Sequence, residues 1–294
     1  MVRPIAFGFN QQTSSTNSFQ INDSNLDANE IQKRALHEFD TFVDLLKENN
    51  VDVMVLQDSV FPPTPDSIFP NNVFSSHEGG TLVIHSMLAD NRRLERTKFK
   101  SFDFLTNKMI IDLSVYEEKN VFLEGTGSIV FDYANKIAYA SLSPRTNREL
   151  FEELCLQLQF KPISFVTTDV SGQEIYHTNV VLCIGHNFAI ICKECFSDLS
   201  ELHLVLDSLD KTNHEIIFIN SKQLNSFAGN TYQLFNKQGQ SLIVMSEQAA
   251  YSLEKVQLNK ISNFGKLITP ALYTIELYGG GSARCMMAEI FEEL

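Results

Sequence analysis

The chain has 294 residues, of which 44% are hydrophobic, so it can bury a large core. Its 36 acidic residues outnumber its 23 basic residues and give a formal charge of −13. This charge argues against nucleic-acid and anionic-membrane partners, since either requires a basic face, and leaves small cationic or zwitterionic ligands as candidates. The sequence has no apolar signal region at its start and no run long enough to span a bilayer, so we expect no membrane partner and a cytoplasmic location.

Hydrophobic periodicity predicts one succession of elements that recurs along the chain: two strands, a helix and a third strand. The predicted strands are residues 5–9, 51–56, 73–76, 81–85, 109–113, 121–123 with 128–131, 137–140, 163–166, 179–183, 188–192, 215–219, 231–235, 242–245 and 266–268. The predicted helices are residues 30–47, 92–107, 147–158, 198–209 and 247–256, and a polar loop covers residues 11–25.

The closing strands of these five units begin at a spacing of about 50 to 60 residues, near Val51, Met109, Ile163, Glu215 and Lys266. A last segment, residues 288–291, is predicted as an isolated strand that pairs with the first unit and closes a ring, which removes free sheet edges. The alternative is an open α/β sheet. Because no linker rich in Pro, Gly or Ser divides the chain, we predict one domain over residues 1–294.

Three successive glycines, Gly279 to Gly281, follow a strand-like run near the C-terminus and allow a sharp turn or a close backbone approach. Cys285 comes directly after this turn beside Arg284, a cation that favours the thiolate. The sequence therefore offers Cys285 as a nucleophile, and the alternative is a small buried apolar residue.

The other four cysteines do not form a disulfide framework with it, because the total is odd and the spacing irregular. Cys192 and Cys195 form a C-x-x-C without a second pair or a suitably spaced His, so a core position is favoured over a metal or redox site. We expect neither a metal nor a cofactor.

Two further stretches combine fixed backbone with polar side chains. A proline-rich loop over residues 62–70 precedes a strand and presents Asp66 and Asn72, although turn chemistry alone also explains these residue types. Arg92 opens a basic cluster in an acidic protein, where a solvated helix start is the usual explanation and a carboxylate-binding fork is the functional one.

Three more candidates lie at predicted strand ends. Glu124 interrupts a strand pattern between apolar residues and paired glycines, where an ionised carboxylate requires a partner, which favours a site carboxylate, and the alternative is a capped turn. Arg145 lies between a strand and a helix, and His177 heads an apolar strand as the best candidate for a base, although a lone His in such a place is more often part of the core.

Taken together these motifs resemble the guanidine-modifying superfamily, which includes arginine deiminase, dimethylarginine dimethylaminohydrolase, agmatine deiminase and the glycine amidinotransferases. The resemblance implies a five-bladed α/β propeller, the pentein fold. A bacterial branch of amidinotransferase-like or citrulline-utilisation hydrolases is also similar in the stretch Phe69 to Ser75 and at Arg3-Pro4. The matching motifs are Pro65-Asp66-Ser67-Ile68-Phe69, Arg92-Arg93-x-Glu95, Leu123-Glu124-Gly125, Arg145-Thr146-Asn147, His177 and Gly279-Gly280-Gly281-x-x-x-Cys285.

The resemblance implies that Cys285 is the nucleophile, His177 the general acid and base, and Glu124 the carboxylate that holds a guanidinium with help from Asp66. Arg92 and Arg145 would hold the α-carboxylate of a small guanidino or ureido amino acid. Such an enzyme hydrolyses a C–N bond through a covalent thiouronium intermediate, or passes the amidino group to an amine, and a homo-oligomer is compatible with either activity.

This chain departs from the superfamily pattern at three positions, where expected acidic residues are replaced by Asn71, Asn72 and Asn179. Losing carboxylate partners disfavours a buried cation, so we predict a preference for a less charged head group, such as a ureido group, or for a substituted guanidine. A non-catalytic binding protein of the same fold is an alternative and predicts an unreactive Cys285. A purely structural role predicts that the motifs do not converge in space.

Overall fold

The structure, a computed structural model, describes residues 1–99 and 109–291. Short strands alternate with helices along this part of the chain. The strands are β1 (Val2–Arg3), β2 (Leu56–Gln57), β3 (Phe74–His77), β4 (Thr81–Ile84), β5 (Met109–Asp112), β6 (Val130–Asp132), β7 (Ile137–Leu142), β8 (Lys161–Val166), β9 (Leu182–Ile184), β10 (Phe188–Cys192), β11 (Glu215–Ile219), β12 (Tyr232–Phe235), β13 (Ser241–Val244) and β14 (Lys266–Ile268).

The helices are α1 (Gln11–Ser14), α2 (Ala28–Glu48), α3 (Asp90–Arg93), α4 (Glu95–Phe99), α5 (Gly125–Ser128), α6 (Arg148–Leu158), α7 (Thr178–Val181), α8 (Leu199–Lys211), α9 (Ser221–Asn225), α10 (Glu247–Ser252), α11 (Lys255–Ser262) and α12 (Tyr273–Gly279). Short 3-10 helices lie at Pro70–Asn72, Ser114–Lys119, Lys193–Cys195 and Ala283–Met286. No helix in the described ranges is both long and apolar enough to cross a bilayer.

Four sheets share one pairing scheme: the first strand is antiparallel to the second, and the third is parallel to the second. They are β3-β4-β5, β6-β7-β8, β9-β10-β11 and β12-β13-β14. A parallel pair requires a crossover connection, and helices lie in each of these connections. The predicted order of strand, strand, helix and strand is therefore confirmed for these four units.

The crossover helix α6 shows why the sequence folds this way. Asn147 caps its start by accepting a hydrogen bond from the backbone N–H of Leu150 at 2.9 Å. Leu150, Phe151, Leu154 and Cys155 are buried at helical spacing and pack against the neighbouring strands.

The first unit differs from its prediction. No strand forms over residues 5–9, because the Gln32 side chain accepts a hydrogen bond from the backbone N–H of Phe7 and donates one to the carbonyl of Pro4. The short strand β1 pairs instead with β2, which covers only the end of the predicted strand 51–56. This sheet accordingly has two strands within the described residues.

Several predicted boundaries were wrong near the motifs. The predicted strand through residues 128–129 begins only at Val130, after α5, and the predicted strand 179–183 starts as α7 before β9. The strand-like run before the glycines is α12, and the predicted helix 247–256 divides into α10 and α11. The predicted helix 92–107 begins at Asp90 as α3 and continues as α4, and residues 100–107 lie outside the described residues.

Residues 288–291 are not a strand, contrary to prediction. The Ser76 hydroxyl donates to the carbonyl of Glu289 at 2.7 Å and accepts from the N–H of Phe291 at 2.9 Å. The segment therefore binds to β3 in the second unit through one side chain rather than through a strand ladder with the first.

Buried side chains connect successive units, and the last unit returns to the first. Each hydrophobic cluster includes members from neighbouring units: Val2 with Leu82, Val83 with Phe151, Tyr139 with Ile190, Ile190 with Ile243, and Val244 with Phe39. Backbone contacts also join the fifth unit to the first, where Lys237 N donates to Asn50 O at 3.0 Å. The contacts therefore follow chain order and close on themselves.

Candidate active site

The turn after α12 fixes the position of Cys285. Gly280 ends the helix in the left-handed region at φ 61°, which favours glycine. A Cβ on Gly279 or Gly281 would lie 2.8 or 2.9 Å from the ring of Phe69, so both glycines are required by the close approach of this ring. The chain then enters the 3-10 helix Ala283–Met286, which carries Cys285.

The Cys285 thiol is buried and is contacted by two amides. Asn230 Nδ2 lies 3.3 Å and Asn179 Nδ2 3.6 Å from Sγ. Burial raises the pKa of Cys285 above its ordinary value, although a backbone hydrogen bond, these amides and Arg284 oppose the shift. The resting group is therefore a thiol.

Arg284 does not produce the thiolate that the sequence led us to expect. Its guanidinium donates to Glu289 Oε1 and to the carbonyl of Met287, each at 2.8 Å, and lies 4.2 Å from the centre of the Tyr232 ring. Because Glu289 balances its charge, its effect on the pKa of Cys285 is smaller than that of burial.

Glu124 and His177 form a buried pair. His177 Nε2 lies 2.9 Å from Glu124 Oε2, while Glu124 Oε1 accepts from the N–H of Leu88 at 3.0 Å. Burial opposes ionisation of Glu124, but Arg145 and His177 lower its pKa to about 2. Burial lowers the pKa of His177 to about 4, even though Glu124 favours the charged form. His177 is thus neutral with its proton on Nε2, which leaves Nδ1 as the basic nitrogen.

Arg92 fixes the orientation of Asn72. Its Nη1 donates to Asn72 Oδ1 at 2.7 Å, while the rest of the guanidinium binds Glu95 and the carbonyl of Phe69. Because an arginine only donates, the oxygen of Asn72 must face Arg92, and the Nδ2 of Asn72 is left buried without a partner among the residues that the structure describes. Burial opposes the charge of Arg92, but Glu95 and Asp66 raise its pKa above the ordinary value.

Asp66 has one paired and one unpaired oxygen. Its Oδ2 accepts from Asn10 Nδ2 at 2.8 Å and from Thr13 Oγ1 at 3.2 Å, while Oδ1 is buried and has no partner in residues 1–99 and 109–291. Burial raises the pKa of Asp66, although Arg92 and Asn10 oppose the shift. Such an unpaired buried acceptor requires a donor from a ligand or water.

Arg145 joins Glu124 to the N-terminal segment. Its Nη1 lies 3.5 Å from Glu124 Oε2, its Nη2 donates to the carbonyl of Thr13 at 2.8 Å, and its Nε donates to Thr16 Oγ1 at 3.0 Å. The guanidinium also stacks on the Tyr176 ring. In this conformation Arg145 is bound to protein groups through each of its three nitrogens.

One narrow cavity joins most of the predicted residues, and its free volume of about 10 Å³ holds about one water molecule. Glu124 lies behind His177 in this arrangement, and Asn179 lies behind Cys285 at the wall of a separate cavity of about 200 Å³. The convergence contradicts the expectation attached to a purely structural role. The lining residues of the narrow cavity are Asn17, Asp66, Phe69, Asn72, Arg92, Arg145, Tyr176, His177, Gly279, Gly280, Gly281 and Cys285.

Sequence reasoning missed the residues that close this cavity. Asn17 lines the cavity and its Nδ2 donates to the carbonyl of Gly280 at 3.3 Å, while Asn10 and Thr13 bind the lining residue Asp66, and all three come from a polar stretch without hydrophobic periodicity. It also missed Asn230, whose preceding Gly229 approaches the carbonyl of Val180 so closely that a Cβ would lie 2.0 Å from it. The signal that could have identified Asn230 is the sequence Ala228-Gly229-Asn230-Thr231 directly before β12.

The remaining cysteines are free and buried, and the sulfur atoms of Cys192 and Cys195 lie 3.1 Å apart. Within residues 1–99 and 109–291, no group of three or more His, Cys, Asp or Glu residues is arranged to hold a metal ion.

A family model described as N,N dimethylarginine dimethylhydrolase, eukaryotic, matches residues 3–292. The chain therefore belongs to this family, and the superfamily assignment predicted from the sequence is confirmed. No curated protein matches the chain significantly.

Solved structures share the fold at low identity. The N-terminal domain of ArgZ from Cyanobacteria, an arginine dihydrolase of the ornithine-ammonia cycle, bound to product, has a TM-score of 0.79 and 17% identity and covers 100% of this chain and 97% of that domain. A variant of this domain, covalently bound to a reaction intermediate, is equally similar. A dimethylarginine dimethylaminohydrolase adduct with 4-chloro-2-hydroxymethylpyridine has a TM-score of 0.63 and 15% identity, and covers 87% of this chain and 90% of that chain.

Proposed function

We propose that this protein is a cysteine-dependent hydrolase that cleaves a C–N bond in a small ureido or guanidino amino acid. The proposal includes a five-bladed propeller in which residues 1–294 form one cytoplasmic catalytic domain. The closed order of contacts between the five units supports the ring, and the shared cavity of Cys285 and His177 supports the chemistry. Family membership and the fold shared with arginine dihydrolase and dimethylarginine dimethylaminohydrolase support the substrate class.

The proposed reaction begins as the Cys285 thiol passes its proton to His177 Nδ1 and Sγ attacks the central carbon of the head group. The tetrahedral adduct collapses, a C–N bond breaks, and the leaving amine takes the electron pair together with that proton from His177. Water then gives a proton to His177 and attacks the same carbon, and the C–S bond breaks as His177 returns the proton to Sγ and restores the thiol. In this scheme Glu124 stabilises each imidazolium that forms, because its carboxylate is bonded to His177 Nε2.

One observation supports a ureido head group: the unpaired Nδ2 of Asn72. A guanidinium carries only donors and leaves this N–H₂ without an acceptor, whereas a ureido oxygen accepts from it. The unpaired oxygen of Asp66, which lines the same cavity, is suited to the N–H groups that a ureido compound also carries. A ligand that cannot pair with these buried polar atoms leaves them unsatisfied, and each unsatisfied atom costs about 1–3 kcal/mol.

Substrate profiling tests the proposal. Ammonia release is measured from citrulline and arginine, and release of methylamine or dimethylamine from methylated arginines, with Cys285→Ser as the inactive comparison, and a labelled substrate is offered with an amine acceptor. We expect citrulline to give the highest kcat/KM with water as acceptor. Faster release from arginine would overturn the ureido preference, and labelled transfer to the amine would favour an amidinotransferase. No turnover combined with an unreactive Cys285 towards a haloacetamidine would favour a binding protein.

A further inference from the structure

A continuous line of hydrogen bonds runs through the second unit to the residue before Glu124. Tyr133 Oη lies 3.2 Å from His77 Nδ1, and His77 Nε2 lies 2.9 Å from Ser75 Oγ. Ser75 Oγ lies 2.8 Å from His85 Nε2, and His85 Nδ1 lies 3.1 Å from the carbonyl oxygen of Leu123. Ser75, His77 and His85 are buried.

The Leu123 carbonyl at one end of this line determines which atom carries each hydrogen-bonding proton. The Leu123 carbonyl only accepts, so His85 Nδ1 carries a proton. Burial lowers the pKa of His85 to about 3, so its Nε2 is bare and accepts from the Ser75 hydroxyl. Ser75 then accepts from His77 Nε2. Because burial lowers the pKa of His77 to about 4, its Nδ1 is bare and accepts from Tyr133. All four donors therefore point towards Leu123.

The accepting carbonyl belongs to the turn that carries Glu124. Gly125 N donates to Leu123 O at 3.1 Å, and Glu124 has φ −89° and ψ 70°, the conformation of the central residue of an inverse γ-turn. His85 and Gly125 thus bind the same carbonyl oxygen from different parts of the chain. The Glu124 N–H is held on the other side of the turn by Ser128 Oγ at 3.0 Å.

We propose that Ser75, His77 and His85 are positioning residues that act through the Leu123 carbonyl to hold the Glu124 carboxylate against His177. This inference rests on the proposed function, which assigns His177 and Glu124 their roles. The relay, defined as these three residues, contacts neither the cavity that contains Cys285 nor its substrate. Its contribution is the orientation of a turn only three residues long, where a small rotation displaces the Glu124 side chain.

The experiment compares His85→Phe, which loses the bond to Leu123, with His85→Asn, whose amide nitrogen replaces Nδ1 and keeps that bond. Ser75→Ala interrupts the relay one step earlier. His214→Phe is a matched control, because His214 is also buried and bonded to a hydroxyl, Thr212 Oγ1 at 2.7 Å, and to a carbonyl, Gly185 O at 3.1 Å. Two readouts are taken: kcat and KM, and the NMR resonance of the His177 Nε2 proton in the resting protein.

We expect His85→Phe to lower kcat by on the order of tenfold or more with KM little changed, and to shift the His177 resonance. His85→Asn should recover most of the kcat and most of the original position of the His177 resonance. Ser75→Ala should give values between those of the two His85 variants. His214→Phe should lose stability without a change in kcat or in the resonance. If the kinetic constants and the His177 resonance of Ser75→Ala and His85→Phe match those of the control, the relay is overturned, and Ser75→Ala alone decides the question if His85→Phe does not fold. If the unaltered protein turns over no ureido or guanidino compound, the proposed function fails, while the resonance still tests the relay.

Discussion

His177 Nε2 and Glu124 Oε2 lie 2.9 Å apart in a site where neither side chain is accessible to bulk water. A carboxylate and a neutral imidazole in this arrangement are suited to general acid–base chemistry, because the imidazolium would have a fixed counter-ion. The pairing joins two motifs 53 positions apart in the sequence.

Glu124→Gln keeps the side-chain shape and removes the counter-ion. Because the imidazolium formed during turnover is then unbalanced, we expect kcat to fall on the order of 10² to 10³-fold with little change in KM. Glu117→Gln is the control, since the Glu117 carboxylate is also bonded to an arginine, Arg96, but binds the N–H of Met87 rather than His177. Equal kcat values for the two variants would contradict the role of Glu124.

Asn72→Asp replaces the unpaired amide nitrogen with an acceptor. We expect kcat/KM for arginine to rise relative to that for citrulline, by on the order of tenfold, because the new oxygen accepts from a guanidinium and repels a ureido oxygen. Asn71→Asp adds the same charge at the adjacent residue, which does not line the cavity, and should leave the ratio nearly unchanged. An unchanged ratio in Asn72→Asp would show that this residue does not select the head group.

Gly127→Ala tests how tightly the site is packed. A Cβ at this position would lie 2.4 Å from Asn72 Nδ2 and 2.6 Å from His177 Nδ1, so both side chains must move. We expect activity to fall by on the order of 10²-fold. Gly8→Ala is the control because a Cβ there would meet nothing within 4 Å. Full activity of Gly127→Ala would contradict the geometry described for His177.

His77 should make stability depend on pH. Its pKa is lowered to about 4 by burial, so between the ordinary value of 6.5 and about 4 the unfolded chain binds a proton that the folded chain excludes. The free energy of unfolding therefore falls as pH is lowered through this window. His77→Phe, which fits beside Phe131, removes the contribution, so lowering the pH from about 7 to about 5 should cost the unaltered protein about 2 kcal/mol more than the variant. Parallel urea titrations at both pH values measure this difference, and equal losses would contradict it.

Features encoded in single motifs were predictable from the sequence. The glycine turn before Cys285, the charge at Glu124 within an apolar stretch and the recurring order of strands and helix each have a local physical signal. Local signals failed where a distant side chain competes for the backbone, as Gln32 does at Phe7, and where one side chain replaces a strand ladder, as Ser76 does for residues 288–291.

Relationships between motifs were not predictable in the same way. The orientation of Asn72 depends on Arg92, 20 residues away, and the tautomers of His77 and His85 depend on the Leu123 carbonyl. The polar stretch that contains Thr13 gives no periodic pattern, yet it closes the cavity through Asp66 and Arg145. Such roles arise from contacts that form only in the folded chain.

The central claim is that Cys285 forms a covalent bond with the substrate carbon. Turnover with citrulline is stopped with acid within the first cycle, and the protein is digested and analysed by mass spectrometry. We expect an adduct on the peptide that contains Cys285 and no adduct in Cys285→Ser. Active turnover without an adduct on that peptide, or with an adduct on another cysteine, would contradict it.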